Sequence, residues 1–301
     1  MFGIKQIDIA DDYTVTMTAP LFELPCPFDI ETGTVSLLEP ANSDPQRLRQ
    51  QLLDGTYGKP FLIGHDDRLT LHLSLSLIQS TMKVSDPTAL DLSYTQKMMS
   101  FLLFYPRPKG ILLLGLGGGS LAKYCYKHLP RADITAVEID PHVIGFRKAF
   151  CIPDDDERFR IVCDDATEFI RSHQARTDII LLDAFDGLGI APELTDPDFY
   201  SRMDACLSAN GILVMNLAGD KAGFDDPLSR LAEVFDDRVL TIRVRDGGNQ
   251  IAFAFKNTHF PPRWELVHQQ ARELEKRLGL DFSRYARHLE KSERRRDDRH
   301  R

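Results

Sequence analysis

No apolar run in the chain approaches the roughly 18 residues needed to cross a bilayer, so nothing in the sequence reads as a membrane span. The cysteines Cys26, Cys125, Cys151, Cys163 and Cys206 are scattered, without a CxxC pair, and no histidines cluster at metal-ligand spacing. That pattern argues against a metal site and against a disulfide framework, and fits free thiols in a reducing compartment. Positive charge is the scarcer sign: 37 Lys and Arg stand against 45 Asp and Glu, a net charge of −8. Nucleic acid is therefore a poor partner; a cationic small molecule suits the field, with simple solubility as the plainer explanation. The opening MFGIKQIDIADDYTV lacks a basic n-region and an apolar h-region, from which a cytoplasmic location is expected. No internal repeat is present.

What is there divides along the chain. Residues 1 to about 75 alternate apolar and polar positions in YTVTMTAPLFEL, TGTVSLLE and PFLIGHDDRLTLHLSLSLIQST. Leu69, Leu71, Leu73, Leu75 and Leu77 lie two apart, which predicts one face of a single strand. A small antiparallel β domain over 1–80 is expected. LSYTQKMMSFLLFY then has helical spacing, and PRPKG stops it.

From Gly110 short apolar runs alternate with helical stretches: GILLLGLG, DITAVEID, FRIVCDD, TDIILLDAF and GILVMNLA, with helices predicted at Ser120–Leu129, Pro141–Phe150 and Pro197–Leu207. Such runs predict parallel strands covered on both faces. RVLTIRVR and QIAFAFK, joined through DGGN, add a tight hairpin, so the sheet is expected to end with one reversed strand. The result is an α/β fold with a mostly parallel seven-stranded sheet, Rossmann-like and of the S-adenosylmethionine-dependent methyltransferase type, over residues 81–285. The charged 286–301 reads as a disordered tail.

Gly115, Gly117, Gly118 and Gly119 leave the first of these strands and open a helix, where backbone without a Cβ can turn tightly and approach a ligand. Glu138 ends the next strand, about 20 residues on, the place from which an acid hydrogen-bonds ribose hydroxyls. A capping role for the helix that starts at Pro141 is the competing reading. The spacing alone does not separate a dinucleotide from an S-adenosyl compound; the packed GLGGGS and the closing hairpin favour the latter. Asp164 and Asp165 end the third strand, with Asp164 placed to cap the next helix and Asp165 to accept from an adenine amino group. Asp183 and Asp186 end the fourth strand in DIILLDAFDG. One such carboxylate can take a proton from an attacking amine while the other holds a distant ammonium; a plain turn explains the pair equally well.

With those residues in view, the stretch from Arg68 to Lys256 resembles the polyamine aminopropyltransferases, the spermidine synthase family. LIQST, SYTQKMM, LGLGGGS, AVEID, CDDATEF and DAFDGLGIAPEL follow the order of that family's motifs. The resemblance implies decarboxylated S-adenosylmethionine as co-substrate and an amine such as putrescine as acceptor, in a homo-oligomer such as a dimer. By the same carry-over Glu138 binds ribose, Asp165 and Ala166 contact adenine, Asp183 is the base, Asp186 holds the acceptor, and Tyr94 and Gln79 line its pocket. Gly118 stands where the family carries an aspartate for the donor's ammonium, Thr95-Gln96 where it has His-Glu, and Asp246 where it has a tyrosine. A methyltransferase using ordinary S-adenosylmethionine and a non-catalytic nucleoside-binding relative remain open alternatives.

Overall fold

The computed structural model describes residues 20–28, 33–74, 77–173, 175–186, 189–190, 196–218, 224–245 and 248–297. The first sheet is antiparallel throughout, in the order β1 (Phe22–Pro25), β2 (Thr34–Leu37), β3 (Phe61–His65), β4 (Arg68–Ser74), β5 (Leu77–Lys83). The single strand expected across Leu69–Leu77 is instead a hairpin: β4 stops at Ser74, which pairs with Leu77 on β5, and Leu75 falls outside the described residues. Period-2 spacing continues through such a turn, so it cannot locate one. β5 runs on to Lys83, so the boundary expected at residue 80 lies within a strand.

Helix α1 (Pro45–Leu53) interrupts the stretch read as all-β. Asp44 caps it by accepting from the Gln46 and Arg47 N–H groups, Pro45 sits in its first turn, and Leu48 and Leu52 bury one face. Those capping residues were visible in NSDPQ.

Helix α2 (Ser93–Met98) leads through a 3₁₀ turn into the second sheet. There β6 (Gly110–Leu114), α3 (Ser120–His128), β7 (Asp133–Glu138), α4 (Pro141–Gly145), β8 (Phe159–Cys163), α5 (Ala166–Ser172) and β9 (Thr177–Leu182) alternate. A two-residue pair, β10 (Phe185–Asp186) with β11 (Gly189–Ile190), precedes α6 (Pro197–Cys206), β12 (Leu207–Leu217) and α7 (Asp225–Val234). β13 (Val239–Arg243) and β14 (Gln250–Phe255) complete the sheet, and α8 (Trp264–Leu278) and α9 (Phe282–Asp297) follow. Strand order is β13-β14-β12-β9-β6-β7-β8, and only the pairings made by β14 are antiparallel. The closing hairpin with its one reversed strand is as expected, and that strand, β14, lies between β12 and β13.

The continuous apolar runs are explained by which face each side chain reaches. Ile111, Leu113, Ile179, Leu181, Ile212 and Val214 enter one core, while Leu112, Leu114, Ile180, Leu182, Leu213 and Met215 enter the other. The first core also takes in Leu62, Leu71 and Met82 of the small sheet, which has its own cluster around Val35, Leu37 and Leu52.

Two helical expectations change. α4 ends at Gly145 rather than Phe150, because the chain tightens into three-residue bonds from Phe146 N–H to Val143 O and from Arg147 N–H to Ile144 O. The segment read as a disordered tail from 286 is helical through Asp297. Phe282, Tyr285, Ala286 and Leu289 bury an i, i+3, i+4, i+7 stripe that the surrounding arginines conceal in a composition count. Buried Glu293 extends the stripe by accepting from Trp264 Nε1 at 2.6 Å.

Candidate active site

The parallel strands run outward in two directions from β6: β7 and β8 on one side, β9 and β12 on the other. Their carboxyl ends bound the crevice where open α/β sheets take ligands. Gly115 and Asp183 leave adjacent strands there, held by the Asp183 N–H on Leu114 O at 2.9 Å and the Gly115 N–H on Val137 O at 2.9 Å.

The glycines do something the sequence reading did not assign them. Gly115 has φ +97°, and a Cβ on it would lie 2.3 Å from the Asp183 carbonyl oxygen. Its lack of a side chain therefore lets two strand ends meet and sets where Asp183 emerges. A Cβ on Gly118 would come within 2.7 Å of Ser80 Oγ and 2.9 Å of the Phe150 ring, and one on Gly119 within 2.6 Å of Ile152. A side chain at either position would meet protein. At Gly117 the nearest atom, Ser80 Cβ, is 3.6 Å away.

Glu138 grips this loop. Its Oε2 accepts from the Leu116 N–H at 3.0 Å and the Gly117 N–H at 3.4 Å, and its Oε1 from the Asp140 N–H at 3.1 Å. Oε1 keeps a lone pair for a further donor such as a ribose hydroxyl. The helix starting at Pro141 is capped by Asp140, which accepts from the His142 N–H, so the capping reading of Glu138 is wrong.

The capping role expected of Asp164 falls to its neighbour. Asp165, not Asp164, caps α5: its Oδ1 accepts from the Thr167 and Glu168 N–H groups and from the Thr167 hydroxyl. Residue 165 is the one whose backbone turns extended just before the helix, which is what a cap requires. Burial works against ionising Asp165, but those hydrogen bonds prevail and its pKa is lowered. All three bonds converge on Oδ1. Asp164 accepts the Asp165 N–H on its own side chain and donates its backbone N–H to Glu138 O at 3.1 Å, so the two acid sites adjoin; Ala166 opens α5 beside them.

Asp183 sits in a polar socket. Tyr94, from α2, donates its hydroxyl to Oδ2 at 3.2 Å, and Asn216, from β12, donates Nδ2 to Oδ1 at 2.8 Å. Asn216 is 2% exposed and in turn accepts from Asn249 Nδ2 at 2.9 Å. Burial raises the Asp183 pKa, opposed by the bonds from Asn216 and Tyr94. Burial, with the neighbouring carboxylate second, drives the Tyr94 phenol well above its ordinary value, so Tyr94 remains a donor. Asp186 is described in backbone only, paired with Gly189 beyond Asp183. Gln79 is half-buried on β5, one residue before the Ser80 that packs on Gly118. Asp246 lies outside the described residues.

The sequence reading missed Asn216, Asn249, Ser80 and Phe150. Only Asn216 carried a signal, as a polar residue at the carboxyl end of an otherwise apolar strand. Among the described residues, no group of three or more His, Cys, Asp or Glu could hold a metal ion, and no helix is long and apolar enough to cross a membrane.

Comparison with known proteins follows the same geometry. The family described as the spermine/spermidine synthase domain matches residues 92–221. The polyamine aminopropyltransferase of Chromobacterium violaceum is 39% identical over 225 residues, covering 74% of this chain and 86% of that protein. In fold, a probable spermidine synthase from Corynebacterium glutamicum superposes with a TM-score of 0.62 at 22% identity, over 73% of this chain and 85% of that one. Human methyltransferase-like protein 13, solved in complex with SAH, superposes with a TM-score of 0.57 at 23% identity, over 62% of this chain and 93% of that one.

Proposed function

Because this chain belongs to the polyamine aminopropyltransferase family, we propose that it transfers an aminopropyl group from decarboxylated S-adenosylmethionine to an amine such as putrescine. The observation that carries this reading is the Asp183 socket: a carboxylate at the sheet's switch point, gripped from two sides, whose pKa burial raises. An ammonium has a pKa near 10.4 and is not a nucleophile until it loses a proton. A base with a raised pKa is better matched to taking that proton than an ordinary carboxylate.

In the step, the acceptor nitrogen attacks the carbon beside the sulfonium. An N–C bond forms, the C–S bond breaks with its electron pair going to sulfur, and the proton leaving nitrogen goes to Asp183. Glu138 holds the ribose, and Asp165 with Asp164 and the Ala166 backbone holds adenine. Tyr94 and Gln79 line the acceptor pocket, and Asp186 binds the acceptor's distant ammonium by a charge-assisted bond. Alignment of two cations in one acid-lined crevice supplies the rest. We place the enzyme in the cytoplasm as a homodimer, with no nucleic-acid or membrane partner.

Acidic walls also predict which donor is preferred. Losing the donor carboxylate leaves a more positive cation, which a crevice lined by acids holds more tightly. Titration calorimetry is expected to give the decarboxylated form at least about tenfold tighter binding than S-adenosylmethionine. Tighter binding of the carboxylated form would overturn aminopropyl transfer in favour of methyl transfer.

A further inference from the structure

Resting on the reading of Asp183 as the base, we propose that Asn249 is a positioning residue, which acts through Asn216 to keep a hydrogen-bond donor aimed at the Asp183 carboxylate. An ionised carboxylate only accepts, so the Asn216 amide must present its NH₂ to Asp183 Oδ1. Its carbonyl then points the other way, where only a donor can meet it. Asn249 supplies that donor, at 2.9 Å. The two bonds hold each other's direction: a flipped Asn216 would set oxygen against the carboxylate and NH₂ against NH₂. Asn216 is 2% exposed, so water cannot readily stand in for either partner.

Asn249 itself is anchored independently of Asp183. Its carbonyl accepts the Val244 N–H at 2.8 Å, continuing the β13–β14 ladder into the loop, and it directly precedes the first residue of β14. The relay therefore joins the closing hairpin to the reaction centre, and the DGGN loop does more than turn the chain. Around Asp183, the ionisable side chain facing it among the described residues is Tyr94 from α2; β12 and the hairpin loop contribute neutral amides, and the glycine loop contributes backbone at Gly115.

The sign of the effect follows. The Asn216 bond favours the charged form of Asp183, so loosening it raises the carboxyl pKa and moves the acid limb of the rate profile to higher pH. Asn249→Ala lets Asn216 flip, and Asn249→Asp draws the Asn216 NH₂ away from Asp183. In kcat–pH profiles the acid limb is expected to rise by about one pH unit in Asn249→Ala and by more in Asn249→Asp. Turnover recovers at high pH, while the KM for the nucleoside donor stays within about twofold. Unchanged limbs in both variants, or a loss of equal size at every pH, would overturn the relay. Asp183→Asn, measured alongside, separates the two layers: loss of turnover with unchanged Asn249 limbs defeats the relay alone, whereas wild-type turnover in Asp183→Asn defeats the base assignment and the relay with it.

Discussion

Gly115 is the residue on which the reaction centre depends most indirectly and most strictly. Its sequence signature reads as room for a ligand, yet the space a side chain would take is filled by the Asp183 carbonyl, at 2.3 Å from an added Cβ. Ala at this position faces both a φ of +97° and that collision, so the strand end must shift. Gly115→Ala is expected to cost about 1–3 kcal/mol or more in urea unfolding and to lower kcat by displacing Asp183. Full activity with unchanged stability would show that the two strand ends can part harmlessly. Gly118 carries a related lesson. It stands where the family resemblance places an aspartate, but the Phe150 ring and Ser80 occupy the space beside it, so the departure is accompanied by packing that closes the gap.

Elements were legible in proportion to how much of their signal was local. The five parallel strands follow from unbroken apolar runs, and the reversed strand from a short loop. What pairing order adds, the place of β14 inside the sheet, depends on long-range contacts that no local pattern encodes. The β4–β5 turn was hidden because alternating leucines continue through it. α9 was hidden because charge dominates its composition, although its apolar stripe is regular. That helix is part of the core: Leu289 is 0% exposed. Leu289→Ala is expected to destabilise the protein by about 2–5 kcal/mol. Arg294→Ala on the exposed face, which removes its pair with Glu290, is expected to change stability by less than about 0.5 kcal/mol. Equal effects of the two substitutions in the same unfolding experiment would mean that α9 is not docked.

At the scale of the whole molecule, sequence located the crevice but not its supports. Glu138, Asp165 and Asp183 were identifiable because acids at strand ends are exposed to reasoning about strands alone. Tyr94 reaches Asp183 across 89 positions of chain and Asn216 across 33, and only the folded chain brings them together. In the proposed reaction a nitrogen replaces sulfur on a three-carbon amine, with Asp183 taking the proton. Mass spectrometry of the products formed from putrescine and decarboxylated S-adenosylmethionine tests it most directly. The wild-type protein is expected to yield the amine enlarged by one aminopropyl group with an equal amount of the thioether nucleoside, and Asp183→Asn to lose this. Absence of the enlarged amine with the wild-type protein, or undiminished formation of it by Asp183→Asn, would contradict the account.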